Sequence, residues 1–126
     1  RFQVDPAGPS AMRIRITTQH AVLYAMLEDN PTSKDFWSML PLTLRLDDYA
    51  STEKVSTLAR KLRTDRAPAG ITPVKGDVTY YAPWGNLALF YRNFEYSEGL
   101  IRLGCIEGDL KGLTQSTSFA VTVERM

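Results

Sequence analysis

At 126 residues with a formal net charge of +1, the chain is long enough to bury one core without covalent staples and reads as a single domain. That charge leaves no footprint for nucleic acid or an anionic membrane surface, and no apolar run approaches the roughly 20 residues of a membrane span. The single Cys105 excludes an intrachain disulfide and a cysteine-based zinc cluster, and a lone His20 cannot make a metal site. No serine or cysteine triad is legible, so metal and covalent catalysis are not expected and no cofactor is implied.

The first stretch, "RFQVDPAGPSA", holds proline, glycine and serine without periodicity and reads as a leader or linker over residues 1–11. Strand alternation begins abruptly at Met12, which reads as the native start of a domain over 12–126. The rival reading is a mature secreted or periplasmic terminus. With no signal peptide visible, the cytoplasm is the default location.

Period two dominates from Met12 onward. Met12, Ile14 and Ile16 face one way, with Arg13, Arg15 and Thr17 on the other face. "AVLYAML" at 21–27 is apolar on both faces, as a covered strand would be. The short link from Thr18 to His20 makes these two a hairpin, although it lacks an Asn-Gly turn. Thr32 with Asp35 then resembles a capping box, followed by Phe36, Trp37, Met39 and Leu40 on a helical stripe that Pro41 ends. "LTLRLD" returns to alternation with Leu42, Leu44 and Leu46 inward.

"TEKVSTLARKL" is ambiguous. Val55, Leu58 and Leu62 recur at helical spacing, while Thr52, Val55 and Thr57 suit a strand. The basic run Lys54, Arg60, Lys61, Arg63 and Arg66, interrupted by Thr64 and Asp65, reads as a solvated loop rather than a phosphate track. "RAPAGITPVKGD" is loop chemistry. Strands are predicted at Val78 to Ala82, Leu87 to Tyr91, Leu100 to Ile106 and Phe119 to Val123, and Asp109 can cap one turn carrying Leu110 and Leu113. Gly104 suggests a bulge or a close backbone approach, and Cys105, among Ile101, Leu103 and Ile106, reads as a buried small hydrophobe. Seven or eight short strands with two short helices predict an all-β, compact antiparallel barrel, closed by pairing the last strand with the first.

Pro83-Trp84-Gly85-Asn86 puts a tryptophan in a turn. Turn geometry alone explains Gly85 and Asn86. Trp84 either folds over the barrel end as a plug or lines a binding cleft. Tyr80, Tyr81 and Phe90 alternate on the flanking strands. Glu53 with Asp47 and Asp48 reads as surface charge rather than an acid pair.

"DNPTSKDFWSMLPLTLRLDDY", "STEKVSTLARKL", "GDVTYYAPWGNLALFY" and "SEGLIRLGCIEGDLKGL" together resemble the small bacterial cyclophilin-like domain family. The resemblance runs from about Met12 to the last strand, and the Gly-Asp, aromatic strand, Pro-Trp-Gly-Asn turn and Leu-Ala-Leu-Phe-Tyr strand are its most specific piece. It implies a cyclophilin-type closed barrel of about eight strands with helices capping its ends.

True cyclophilins are prolyl isomerases, which must lower a barrier of roughly 18–20 kcal/mol. They hold proline in an apolar pocket while an arginine donates to its nitrogen. That charge-assisted bond is worth roughly 1.5–3 kcal/mol, or about ten- to a hundredfold in rate. Here the Phe-His-Arg strand has only "LAR", Leu58 to Arg60, as its nearest equivalent, making Arg60 the one catalytic candidate. "APAGITPVKG" stands where Phe-Met-x-Gln-Gly-Gly would line the pocket. The resemblance lets Phe90 line a pocket, sets Leu100 where cyclophilins have histidine, and puts Tyr96 near a pocket tryptophan.

The reading is a barrel that binds a small molecule or peptide in a partly aromatic groove without strong catalysis. Its candidate ligand-binding residues are Arg60, Tyr81, Trp84, Asn86, Phe90 and Tyr96. The alternatives are a weak or specialised prolyl isomerase using Arg60 and a non-catalytic protein-interaction module.

Overall fold

A computed structural model describes residues 11–115 and 117–126; the leader reading of residues 1–11 therefore falls, apart from Ala11, outside the described residues. In chain order the elements are β1 (Met12–Thr17), β2 (Val22–Leu27), α1 (Pro31–Ser38), β3 (Leu42–Tyr49), β4 (Glu53–Thr57) and β5 (Gly70–Ile71). There follow β6 (Asp77–Tyr81), β7 (Asn86–Phe90), β8 (Ser97–Glu98), β9 (Leu100–Glu107), a 3-10 turn (Lys111–Leu113) and β10 (Phe119–Arg125). Eight strands close an antiparallel barrel in the order β1-β10-β3-β4-β7-β6-β9-β2, and β5 and β8 pair separately as a small ribbon. Closure comes where the alternation predicts it, with Ile16 of β1 opposite Val123 of β10. Because every barrel strand is paired on both sides, the barrel has no free edge.

The interior is built from one phase of each strand: Ile14 and Ile16, Leu23 and Ala25, Leu46, Val78 and Tyr80, Leu87 and Leu89, Leu103, Val121 and Val123. Phe36 and Leu40 from the helical region close one side of this core. The helix starts two residues earlier than a Thr32–Asp35 box would place it. Asn30 is the cap, its Oδ1 accepting from the Ser33 amide at 2.8 Å, and Pro31 occupies the first turn. Asp35 is thereby freed for another role. Its carboxylate accepts from Arg60 Nη1 and Nη2 at 2.8 and 2.9 Å and from the Arg63 amide at 2.8 Å. The Arg60 hydrogen bond, with help from Arg63, holds the Asp35 pKa down at about 2.

Three further expectations are corrected. The outer face of β2 is not covered: Val22 is exposed and Tyr24 and Met26 are half-buried, with the Arg13 guanidinium 4.8 Å over the Tyr24 ring instead of a packed layer. Cys105 is exposed rather than buried. The β6–β9 register shifts between Val78 and Thr79, pairing Val78 with Gly104 and Thr79 with Arg102. Leu103 is thus the extra residue of a bulge, which turns Cys105 outward. The basic run does not lie along one loop, because Lys54 is buried in the barrel at 1% exposure. Lys54 Nζ lies 3.2 Å from Asp48 Oδ1 and donates to the Gln115 carbonyl, while the Tyr91 hydroxyl donates to Asp48. This cluster closes the barrel interior in polar rather than apolar fashion. No helix among the described residues is long and apolar enough to cross a membrane.

Candidate functional site

The outer faces of β4, β7, β6 and β9 carry a second apolar cluster. Ala88, Phe90 and Leu100 are buried there, with Val55, Ile71 and Tyr81 packed against them. These residues alternate with the interior set, so β7 is buried on both faces, Asn86-Ala88-Phe90 outward and Leu87-Leu89 inward. A sheet buried outside as well as inside needs a cover, and the β5–β8 ribbon and the segment leading to it supply part of one. The uncovered remainder is a cleft of about 400 Å³, within the range of small-molecule sites.

Val55, Phe90 and Leu100 form its apolar floor, and Tyr49, Tyr81, Trp84 and Phe94 stand around it. Trp84 sits in the turn between β6 and β7, where Gly85 takes the left-handed conformation (φ 67°) that lets the chain reverse. Register shows how far its indole reaches. Asn86, beside the turn, pairs with Thr57 at one end of β4, whereas Tyr49 pairs with Glu53 at the other. Even so, the Trp84 ring lies 5.9 Å from Tyr49 at 81° and 5.3 Å from Tyr81 at 86°. Both are edge-to-face contacts of the favourable kind. A tryptophan in this turn, 58% exposed, is therefore neither a plug for the barrel end nor a loose side chain. It lies along the cleft, braced by two tyrosines.

The polar lining is Glu53, Asn86, Ser97 and Glu98. Asn86 is only 7% exposed, and its Oδ1 has no hydrogen-bond partner among the described residues. A buried amide oxygen left without a donor costs about 1–3 kcal/mol, a cost that is relieved where a ligand or water supplies the donor. Glu53 is half-buried, and desolvation, with repulsion from the Asp48 carboxylate, pushes its pKa up to about 7 from an ordinary 4.5. Strongly shifted carboxyl groups in clefts mark functional sites more often than chance would. Among the described residues there is no group of three or more His, Cys, Asp or Glu able to hold a metal ion.

Because folding raises this pKa, the stability tied to protonated Glu53 is complete below pH of about 4.5 and is lost as pH rises through about 7. We expect unfolding free energy to fall across that window by on the order of 1–2 kcal/mol, less than full linkage because the open cleft is screened by solvent. Asp35, Asp48, Asp65 and Glu107 have lowered pKa values, so their contributions change only in more acidic solution. Urea unfolding at pH 5 and pH 8 measures the decline. Glu53→Gln should flatten it, and an undiminished decline in that variant would show that another group is responsible.

Of the residues singled out in the sequence, Tyr81, Trp84, Asn86 and Phe90 line this cleft together. Arg60 does not: it lies beyond the end of β4 and is bidentate to Asp35 on α1. Tyr96 is exposed and sits outside the lining, its hydroxyl so close to Gly70 that a β-carbon there would come within 2.8 Å of it. The sequence reading did not choose Tyr49, Val55 or Phe94 as site residues, and its reading of Glu53 as surface charge is corrected, since Glu53 is half-buried in the cleft lining. For Glu53 and Val55 the signal was present, since a strand over 53–57 sends both outward and Lys54 inward.

Comparisons with known proteins agree with this architecture. The solution structure of the hypothetical protein AF2241 from Archaeoglobus fulgidus matches with a TM-score of 0.73 at 20% identity, covering 95% of this chain and 98% of that one. At that identity the likeness is one of fold. It is also a likeness to an archaeal protein, so the fold relationship is not confined to bacteria. A comparison with curated proteins found no match. Residues 16–124 match the signature of the Cyclophilin-like family, and with the closed eight-stranded barrel this establishes that the chain belongs to that family.

Proposed function

We propose that this chain is a ligand-binding cyclophilin-like domain whose site is the outer-face cleft, taking a small molecule or short peptide without strong catalysis. The observation that carries this reading is Trp84, held by Tyr49 and Tyr81 along a cleft of about 400 Å³ rather than folded into the core. Keeping an indole 58% exposed forgoes burial that would contribute on the order of 2–3 kcal/mol. A ligand covering it recovers that burial.

Prolyl isomerisation has less support. It needs a cationic donor at the proline nitrogen, and none of the described lining residues is arginine, lysine or histidine. Arg60 is engaged by Asp35. Losing that donor and reshaping the pocket each remove on the order of 1.5–3 kcal/mol, enough together to lower a cyclophilin-level rate by several powers of ten. We expect no appreciable acceleration of Ala-Pro or Gly-Pro peptide exchange followed by NMR, and Arg60→Ala should change nothing. Efficient turnover abolished by Arg60→Ala would instead favour an isomerase.

Binding is tested by fluorescence in a Trp37→Phe background, which leaves Trp84 as the only tryptophan. Saturable quenching by compounds from a fragment set supports the cleft, and no response to any of them counts against it. An interface reading has its own observation, the exposure of Trp84, Tyr49 and Phe94 side by side. Self-association lost on Trp84→Ala, measured by sedimentation, would favour it.

A further inference from the structure

We propose that the cleft takes an organic ammonium ion, a small primary amine carried on an aromatic or branched apolar body. This rests on the cleft reading under Proposed function and names the ligand class.

Charge points to a cation. Two carboxyl side chains, Glu53 and Glu98, line the cleft, and no cationic side chain among the described lining residues neutralises them. The nearest lysine in sequence, Lys54, points through the sheet into the barrel and is held by Asp48 and the Gln115 carbonyl. Acidic groups in a low-dielectric apolar hollow focus a field that favours a cation.

Ring geometry points the same way, independently of the charges. Trp84 stands nearly perpendicular to Tyr49 and to Tyr81, at 81° and 86°. All three rings line one hollow with their planes crossed, so that an ammonium there can meet an electron-rich ring face, the contact by which aromatic groups hold a cation. An anionic ligand would meet these faces and both carboxylates unfavourably.

Asn86 narrows the class further. The residue is more than nine-tenths buried and lines the cleft, and its Oδ1 has no partner among the described residues. A primary ammonium brings three N–H donors, so it can serve a carboxylate and, where the Asn86 side chain turns its buried Oδ1 to the cleft, this amide as well. A quaternary ammonium brings none and would leave the amide as it is. The floor of Val55, Phe90 and Leu100 then receives the apolar body of the ligand, and a volume of about 400 Å³ suits a whole small molecule.

The test titrates 2-phenylethylammonium, neutral 2-phenylethanol and anionic 3-phenylpropanoate into the Trp37→Phe chain at pH 8, where Glu53 is ionised. Trp84 emission and amide chemical shifts are the readouts. We expect saturable binding of the ammonium at least about tenfold tighter than either analogue, and a loss of about tenfold in Glu53→Gln, whose fold is checked by circular dichroism. Should Glu53→Gln fail to fold, Glu98→Gln carries the same comparison. Equal affinity for the neutral analogue, or ammonium binding unchanged in Glu53→Gln, would overturn the assignment. So would a lysine derivative capped at both termini binding tenfold more tightly than 2-phenylethylammonium, since the site would then be built for a side chain. Binding of only the neutral or anionic probe leaves the cleft reading standing and removes the ammonium. If no probe of any charge binds, both fall.

Discussion

Gly104→Val should destabilise the fold by at least about 3 kcal/mol, the range reached only by substitutions that disrupt core packing or backbone geometry. Gly104 lies on β9 between two strands, opposite Leu27 of β2 and Val78 of β6. A β-carbon there would meet the Met26 carbonyl oxygen and come within 2.8 Å of the Leu27 Cα. These are backbone atoms of a paired strand, which cannot rotate aside as a side chain can. Relief would require β9 to part from β2, and in a closed barrel that strain passes to every neighbouring pair. Gly108→Ala is the control. Its φ of 74° imposes a backbone cost of about 1–2 kcal/mol, but nothing among the described residues lies within 4 Å of the added carbon. Urea unfolding of both variants separates steric approach from backbone conformation. A Gly104→Val loss no larger than that of Gly108→Ala would contradict the close approach.

The same glycine shows what was legible in the sequence and what was not. An isolated glycine in a strand pattern announces either a bulge or a close approach, and Gly104 is beside the first and makes the second. The consequence for its neighbour was hidden. Cys105 sits between apolar residues in sequence, but the bulge shifts the phase and sends it outward, because facing depends on a pairing partner that local pattern does not contain. Most strands were readable because one face of each meets the core, so alternation was strict. The strand at Glu53–Thr57 was ambiguous because its apolar positions fit both periods, and this concealed half the cleft. Once residues 53–57 are a strand, Tyr49, Glu53, Val55 and Phe90 share a face through the register of β3, β4 and β7. Phe94, Ser97 and Glu98 come from a segment whose only regular structure is a two-residue strand; no periodicity could have placed them. Trp84 was conspicuous because turn chemistry has no need for an indole. Arg60 misled because its identity suited isomerase chemistry, while its partner, Asp35, lies 25 residues away in sequence.

Lys54→Ala should cost about 3 kcal/mol, toward the lower end of what breaking a buried ion pair costs, because the Asp48 side chain remains 30% exposed. The Lys54 ammonium sits within the barrel between Asp48 and the Gln115 carbonyl, 5.5 and 5.7 Å from the ring centres of Tyr91 and Phe119. Removing it leaves Asp48 with hydrogen bonds from Tyr91 and the Ser51 amide but no counter-charge. Lys54→Met keeps most of the apolar stem and isolates the charge term. Adding Asp48→Asn should then recover at least half the loss, because the uncompensated carboxylate is what makes the single variant costly. The pair also reaches the cleft. The Asp48 charge is the second cause, after burial, of the raised Glu53 pKa. In Lys54→Met that charge stands unneutralised, and the Glu53 titration followed by NMR should move higher still. In the double variant the repulsion is gone, and the midpoint should fall below about 7 yet stay above 4.5, held there by burial alone. A Glu53 midpoint indifferent to both changes would separate the buried lysine from the cleft. Movement in the stated directions would make Lys54, through Asp48, the group that sets how much negative charge the cleft carries near neutral pH.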